Sequence, residues 1–188
     1  MDRLYLRKSL IAAGTGSLML YVAFRLGERV ILLGMFDLGI HELGHLLFRP
    51  FGEVVSFVMG SGLQVLVPLG LAAYFWFWQH NRVASGWLMM WGATSMQDAS
   101  VYIADAPYRA LPLIGGTHDW WWLLRRWDRL DLAAEISHTV WVLGLVLGLV
   151  GLGLILVPLA KEAWDRLGRG PAISVSGPST VRKAREPR

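Results

Sequence analysis

The 188-residue sequence predicts an all-α membrane protein: a bundle of about five transmembrane helices with an amphipathic helix at the interface. Three observations carry that expectation. Hydrophobic residues make up 54% of the chain and the mean hydropathy is +0.43, more apolar than a soluble domain of this size usually is. Ten tryptophans suit a chain with two membrane–water boundaries, where indoles settle. The apolar residues also fall into long runs separated by short charged clusters, the pattern that bilayer thickness imposes.

The first run, Ser9 to Phe24, follows Arg3, Arg7 and Lys8 and ends at Arg25-Leu26-Gly27-Glu28-Arg29. It looks like the charged and apolar parts of a signal peptide. No small-residue cleavage site follows Tyr21-Val22-Ala23-Phe24, so an uncleaved first span is expected. Val30 to Phe48 is the second span, closed by Arg49-Pro50. Phe51 to Gly62 mixes β-branched and small residues and reads as a short hairpin or a re-entrant segment shielded from lipid. Leu63 to Trp78, Val83 to Ala104 and Ile136 to Leu159 complete the five. Between the last two, Asp105 to Glu135 is too polar to cross yet contains Trp120-Trp121-Trp122 and Trp127. It reads as an interfacial helix beginning near Thr117-His118-Asp119, residues that can supply capping side chains. Glycines 144, 148, 151 and 153 in the last span report close helix packing. The membrane domain is expected over 1–160, with a basic, flexible tail over 161–188.

The net charge of +4 and pI near 9.8 raise the question of nucleic acid. The basic residues flank apolar segments and fill the tail, as contacts with lipid headgroups would have them, so no nucleic-acid partner is expected. They divide nearly evenly between the two faces, and the tail tips the balance toward a cytoplasmic C terminus. The absence of cysteine excludes disulfides and thiolate ligands; a metal would have to be held by His, Asp or Glu.

The second span carries His41-Glu42-Leu43-Gly44-His45. Two histidines four apart share a helix face and can converge on one ion, and Glu42 beside them can take a proton from a water. Polar groups in hydrocarbon are costly, which favours a zinc site over a pair of packed histidines. A catalytic zinc needs a third protein ligand. Ser95, Asp98, Tyr102 and Asp105 form a polar stripe on the fourth span. Asp105 or His118 is the expected third ligand, with Asp98 in reserve; the rival readings are that Asp105 closes its helix and that His118 is a cap. Asp119 suits the helix N terminus. Asp37, one turn before His41, is a candidate to orient that imidazole. Gln64 is a candidate to hydrogen-bond a substrate backbone or to pack, while His80 and His138 sit at span ends.

The motif near the end of a span, then a small-residue segment and a later span bearing Asp, resembles the site-2-protease-type intramembrane zinc metallopeptidases. The stretches H-E-L-G-H-L-L-F-R-P-F-G from His41, G-S-G-L-Q from Gly60, Y-I-A-D-A from Tyr102 and H-D-W from His118 are similar to an uncharacterised bacterial membrane-protein branch of that group. The resemblance implies that His41, His45 and a distant Asp hold zinc while Glu42 activates the hydrolytic water. The family's Asp lies in an Asn-x-x-Pro…Asp-Gly pattern; Asp105 is followed by Ala106 and lacks both the Asn and the Pro. The expectation is an integral protein of the bacterial inner membrane, in contact with lipid, that hydrolyses membrane-embedded or membrane-adjacent protein segments. Its rivals are a membrane lipid amide or ester hydrolase and a non-catalytic accessory subunit that binds a partner in a membrane complex.

Overall fold

In the computed structural model, which describes residues 3–113 and 116–168, the chain is helical throughout its regular structure. Helix α1 (Arg3–Leu20) passes into a π-helical turn at Tyr21–Leu26, which Gly27 closes in a left-handed conformation. Then come α2 (Ile31–Phe48), α3 (Glu53–Phe77), α4 (Arg82–Asp105), the short α5 (Asp119–Arg126) and the long α6 (Ala133–Gly168). Four segments are long and apolar enough to cross a membrane: Arg3–Leu26, Ile31–Phe51, Glu53–Phe77 and Leu130–Asp165.

α4 is long enough but too polar to qualify on apolarity, because Ser85, Thr94, Ser95, Gln97, Asp98 and Ser100 interrupt it. These residues, Asp98 apart, are buried. The helix lies against α1, α3 and α6, and Met90 and Ala93 join Ala13, Leu20 and Ile155 in the apolar core. Glycine lets α4 and α6 meet backbone to backbone: a Cβ on Gly86 would lie 2.5 Å from the Gly151 carbonyl oxygen, and one on Gly151 2.6 Å from that of Gly86. Gly144 and Gly148 face Ala93 in the same seam, as expected, whereas Gly153 faces open space.

The segment expected as a hairpin or re-entrant loop is helix. Residues 53–62 belong to α3, which runs unbroken to Phe77. The reason is tertiary. Arg49–Phe51 and Gly52 (φ 100°) turn the chain so that α3 packs along α2, and a Cβ on Gly44 would collide with the carbonyl of Met59. The small residues serve this approach of two helices rather than breaking either. α6 also runs past Leu159 through Lys161 and Glu162 to Gly168, beyond the expected start of the tail. The remainder of that tail, 169–188, lies outside the described residues.

Candidate metal centre

α2 places His41 and His45 one turn apart on the face toward α3, with ring centroids 4.8 Å apart. The closeness of α3 is again set by glycine: a Cβ on Gly60 would stand 2.8 Å from Nε2 of both rings. The outer nitrogens fix the tautomers. His45 Nδ1 lies 3.0 Å from the Ser56 carbonyl, which can only accept, so Nδ1 carries the hydrogen. His41 Nδ1 lies 3.2 Å from Gln64 Oε1. The Gln64 amide nitrogen donates to the Ser95 carbonyl (3.1 Å), which orients the amide so that Oε1 accepts from His41 Nδ1–H. Both Nε2 lone pairs are thereby turned inward.

What they meet is Asp119. Its Oδ2 lies 2.9 Å from His41 Nε2 and 3.1 Å from His45 Nε2, and the residue is 4% exposed. Two imidazole lone pairs and a carboxylate thus converge on one point, a set of acceptors with no hydrogen between them. Such a set is repulsive unless a cation or a proton lies at its centre. His41, His45 and Asp119 form a group that can hold a metal ion, and their donor atoms suit zinc.

Asp119 takes the place expected for Asp105 or His118. His118 is the N-cap of α5: its Nδ1 accepts the backbone N–H of Trp121 at 3.2 Å. Its Nε2 faces Asp105 at 3.3 Å but is misaligned and gains no hydrogen bond. Burial accordingly holds His118 below its ordinary value, despite the neighbouring carboxylates. Asp105 closes the turn after α4 by accepting from the N–H groups of Ala110 and Leu111, 3.0 Å each. Asp98 is engaged in a bidentate pair with Arg29 (2.7 and 2.9 Å). The Asp37 carboxylate hydrogen-bonds to neither histidine among the described residues; it accepts from Trp91 Nε1 and from the Ser95 hydroxyl.

α5 is fastened over the site at several points. The Asp119 N–H donates to the Tyr102 hydroxyl (3.1 Å), Tyr102 stacks on His118, and Trp120 Nε1 donates to Ser61 Oγ (3.0 Å). Leu123 and Leu124 are buried beneath it. The Glu42 side chain makes no hydrogen bond to the described residues. It lines two adjoining cavities of about 470 and 640 Å³ that share His41, Glu42, Tyr102 and Leu113, so a base without a fixed partner faces the space beside the ligand set.

No family model matches this chain, and no curated protein or solved structure matches it.

Proposed function

We propose that the protein is a zinc-dependent intramembrane peptidase of the site-2-protease type, an integral protein of the bacterial inner membrane with five spans, α4 being the one enclosed by the others. The observation that carries this reading is the convergence of His41 Nε2, His45 Nε2 and Asp119 Oδ2 beside an uncommitted Glu42. Three protein ligands with an accessible neighbouring cavity fit a catalytic rather than a closed structural site. Zinc, when bound, supplies the positive charge that brings the acidity of a water close to neutrality and polarises a carbonyl.

The chain's own residues do the rest. Gln64 and the Ser56 carbonyl hold the two imidazoles in the ligating tautomer. Glu42 takes the proton of the attacking water as its oxygen bonds to the scissile carbonyl carbon. It then gives that proton to the amide nitrogen, which leaves as an amine while the carbon–nitrogen bond breaks. The substrate must be locally unwound, because helical carbonyls are already hydrogen-bonded.

Glu42→Gln tests this. The variant is nearly isosteric and spares the ligands, so it should retain about one zinc per chain. Cleavage of membrane substrates should fall about 10²–10⁴-fold, the usual cost of a lost general base. Membranes from cells carrying parent and variant would be compared for accumulation of uncleaved peptides. If Glu42→Gln processes every affected substrate normally, the peptidase reading fails and a non-catalytic subunit takes its place.

A further inference from the structure

Gln97 stands apart from the other polar residues of α4. It is 4% exposed, yet its side-chain amide has no hydrogen bond to any described residue; only its backbone carbonyl is engaged, by the Ser100 hydroxyl. A carboxamide this deep in a helical bundle is costly unless something satisfies it. The amide is not sealed, since the one buried side-chain atom without a partner among the described residues is His118 Nε2. Gln97 lines the cavity of about 470 Å³ that begins at His41 and Glu42 and includes the Arg29–Asp98 pair.

The other polar groups of that cavity are largely committed. Gln64 uses its oxygen on His41 and its nitrogen on the Ser95 carbonyl, so it is not available to a substrate backbone. Asp98 is held bidentate by Arg29. Ser61 accepts from Trp120 and keeps its own O–H free. Leu38, Val101 and Pro112 contribute apolar lining. Besides Glu42, the cavity therefore presents one free carboxamide and two hydroxyls, Ser61 and Tyr102, that accept a bond and keep their own hydrogens, in an otherwise apolar or paired lining. A carboxamide offers a donor and an acceptor in one plane, matching the N–H and C=O of a peptide backbone. A lipid acyl chain offers nothing to either.

We propose that this cavity seats the substrate on one side of the scissile bond, and that Gln97 holds the backbone of an unwound peptide there through a paired donor–acceptor contact. The proposal rests on the peptidase reading above, and it selects peptide over acyl lipid as the substrate class.

The test measures binding of three probes to the zinc-loaded, detergent-solubilised full chain by calorimetry: acetohydroxamate, an N-blocked Leu-Leu hydroxamate and octanoyl hydroxamate. The dipeptide should bind the parent more tightly than either of the others. Gln97→Met, close in shape but without the amide, should lose about tenfold of affinity for the dipeptide and leave acetohydroxamate unchanged. Gln97→Glu, which keeps an acceptor but loses the donor, should fall between them. Zinc content and thermal unfolding of each variant report whether it is folded. Equal binding of dipeptide and octanoyl probes, or a uniform loss for all three in both folded variants, overturns the proposal and favours a lipid substrate or a purely structural Gln97. Failure of all three probes on zinc-loaded parent protein brings down the peptidase reading itself, and the cavity proposal with it.

Discussion

Asp37 and Asp119 are both almost wholly buried, 2% and 4% exposed, and their surroundings are opposite. Asp37 is met by donors: the indole N–H of Trp91 at 2.9 Å and the Ser95 hydroxyl at 3.0 Å to either oxygen. These two donors tie α2 to α4. Asp119 is met by acceptors, because Ser56 and Gln64 have already claimed the only hydrogens of the neutral imidazoles it faces. The first carboxylate faces donors and needs no cation to offset a facing acceptor. The second requires a cation or a proton. A buried acid is thus assigned by what surrounds it, and depth alone would not tell these two apart.

The same substitution at each position gives the sharpest contrast. At Asp119, Asn replaces an anionic oxygen with a weak neutral ligand, and metal affinity should fall more than about 100-fold, beyond the about 10–100-fold that outer partners cost. The metal-free protein should not suffer, because the new NH2 group can donate to an imidazole lone pair that previously faced an acceptor. Chelator competition measures the affinity and thermal unfolding the stability. Asp105→Asn and His118→Ala should move affinity far less. If either of them matches Asp119→Asn, the ligand set is misassigned.

Next in size is the support behind His41. Gln64→Leu removes the acceptor that fixes the Nδ1–H tautomer and releases the Ser95 carbonyl, both in a buried setting. Outer partners of ligating histidines are worth about 10–100-fold in metal affinity, and a loss in that range is expected here. Unchanged affinity would mean that the tautomer is set without Gln64.

How far the sequence discloses this arrangement depends on range. The His41–Glu42–His45 spacing is local to one helix, and the helical period alone brings the two rings together. The polar stripe on α4 is equally visible, but its members part company in three dimensions. Ser95 goes to Asp37, Asp98 to Arg29, Tyr102 to the Asp119 N–H, and Asp105 to the turn that follows it. Nothing in a helical period says which partner each will find. Asp119 was obscured because a carboxylate beside a helix start is an adequate cap. The distinction lies in a one-residue register: His118 occupies the cap position and frees Asp119 to turn inward. Residues 53–62 misled for a related reason, since their small and β-branched residues fit either an irregular segment or a helix packed tightly on α2.

The smallest effect on the metal is expected from Asn at position 37. The amide oxygen can still accept from Trp91 Nε1, and the amide nitrogen can donate to Ser95 Oγ, whose own hydrogen can turn to the Trp91 carbonyl 3.2 Å away. Trp91 and Ser95 both keep a partner, and one N–H of the new amide is the group left unmatched. Stability should fall by about 1–3 kcal/mol, the cost of one buried N–H without a partner. Metal affinity should stay at the parent value, because the Asp37 carboxylate hydrogen-bonds to neither imidazole. Thermal unfolding and chelator competition on the same preparation read both quantities. A large loss of metal would show that the Asp37 charge reaches the site through Ser95 and Gln64, and the two carboxylates would then belong to one network rather than two.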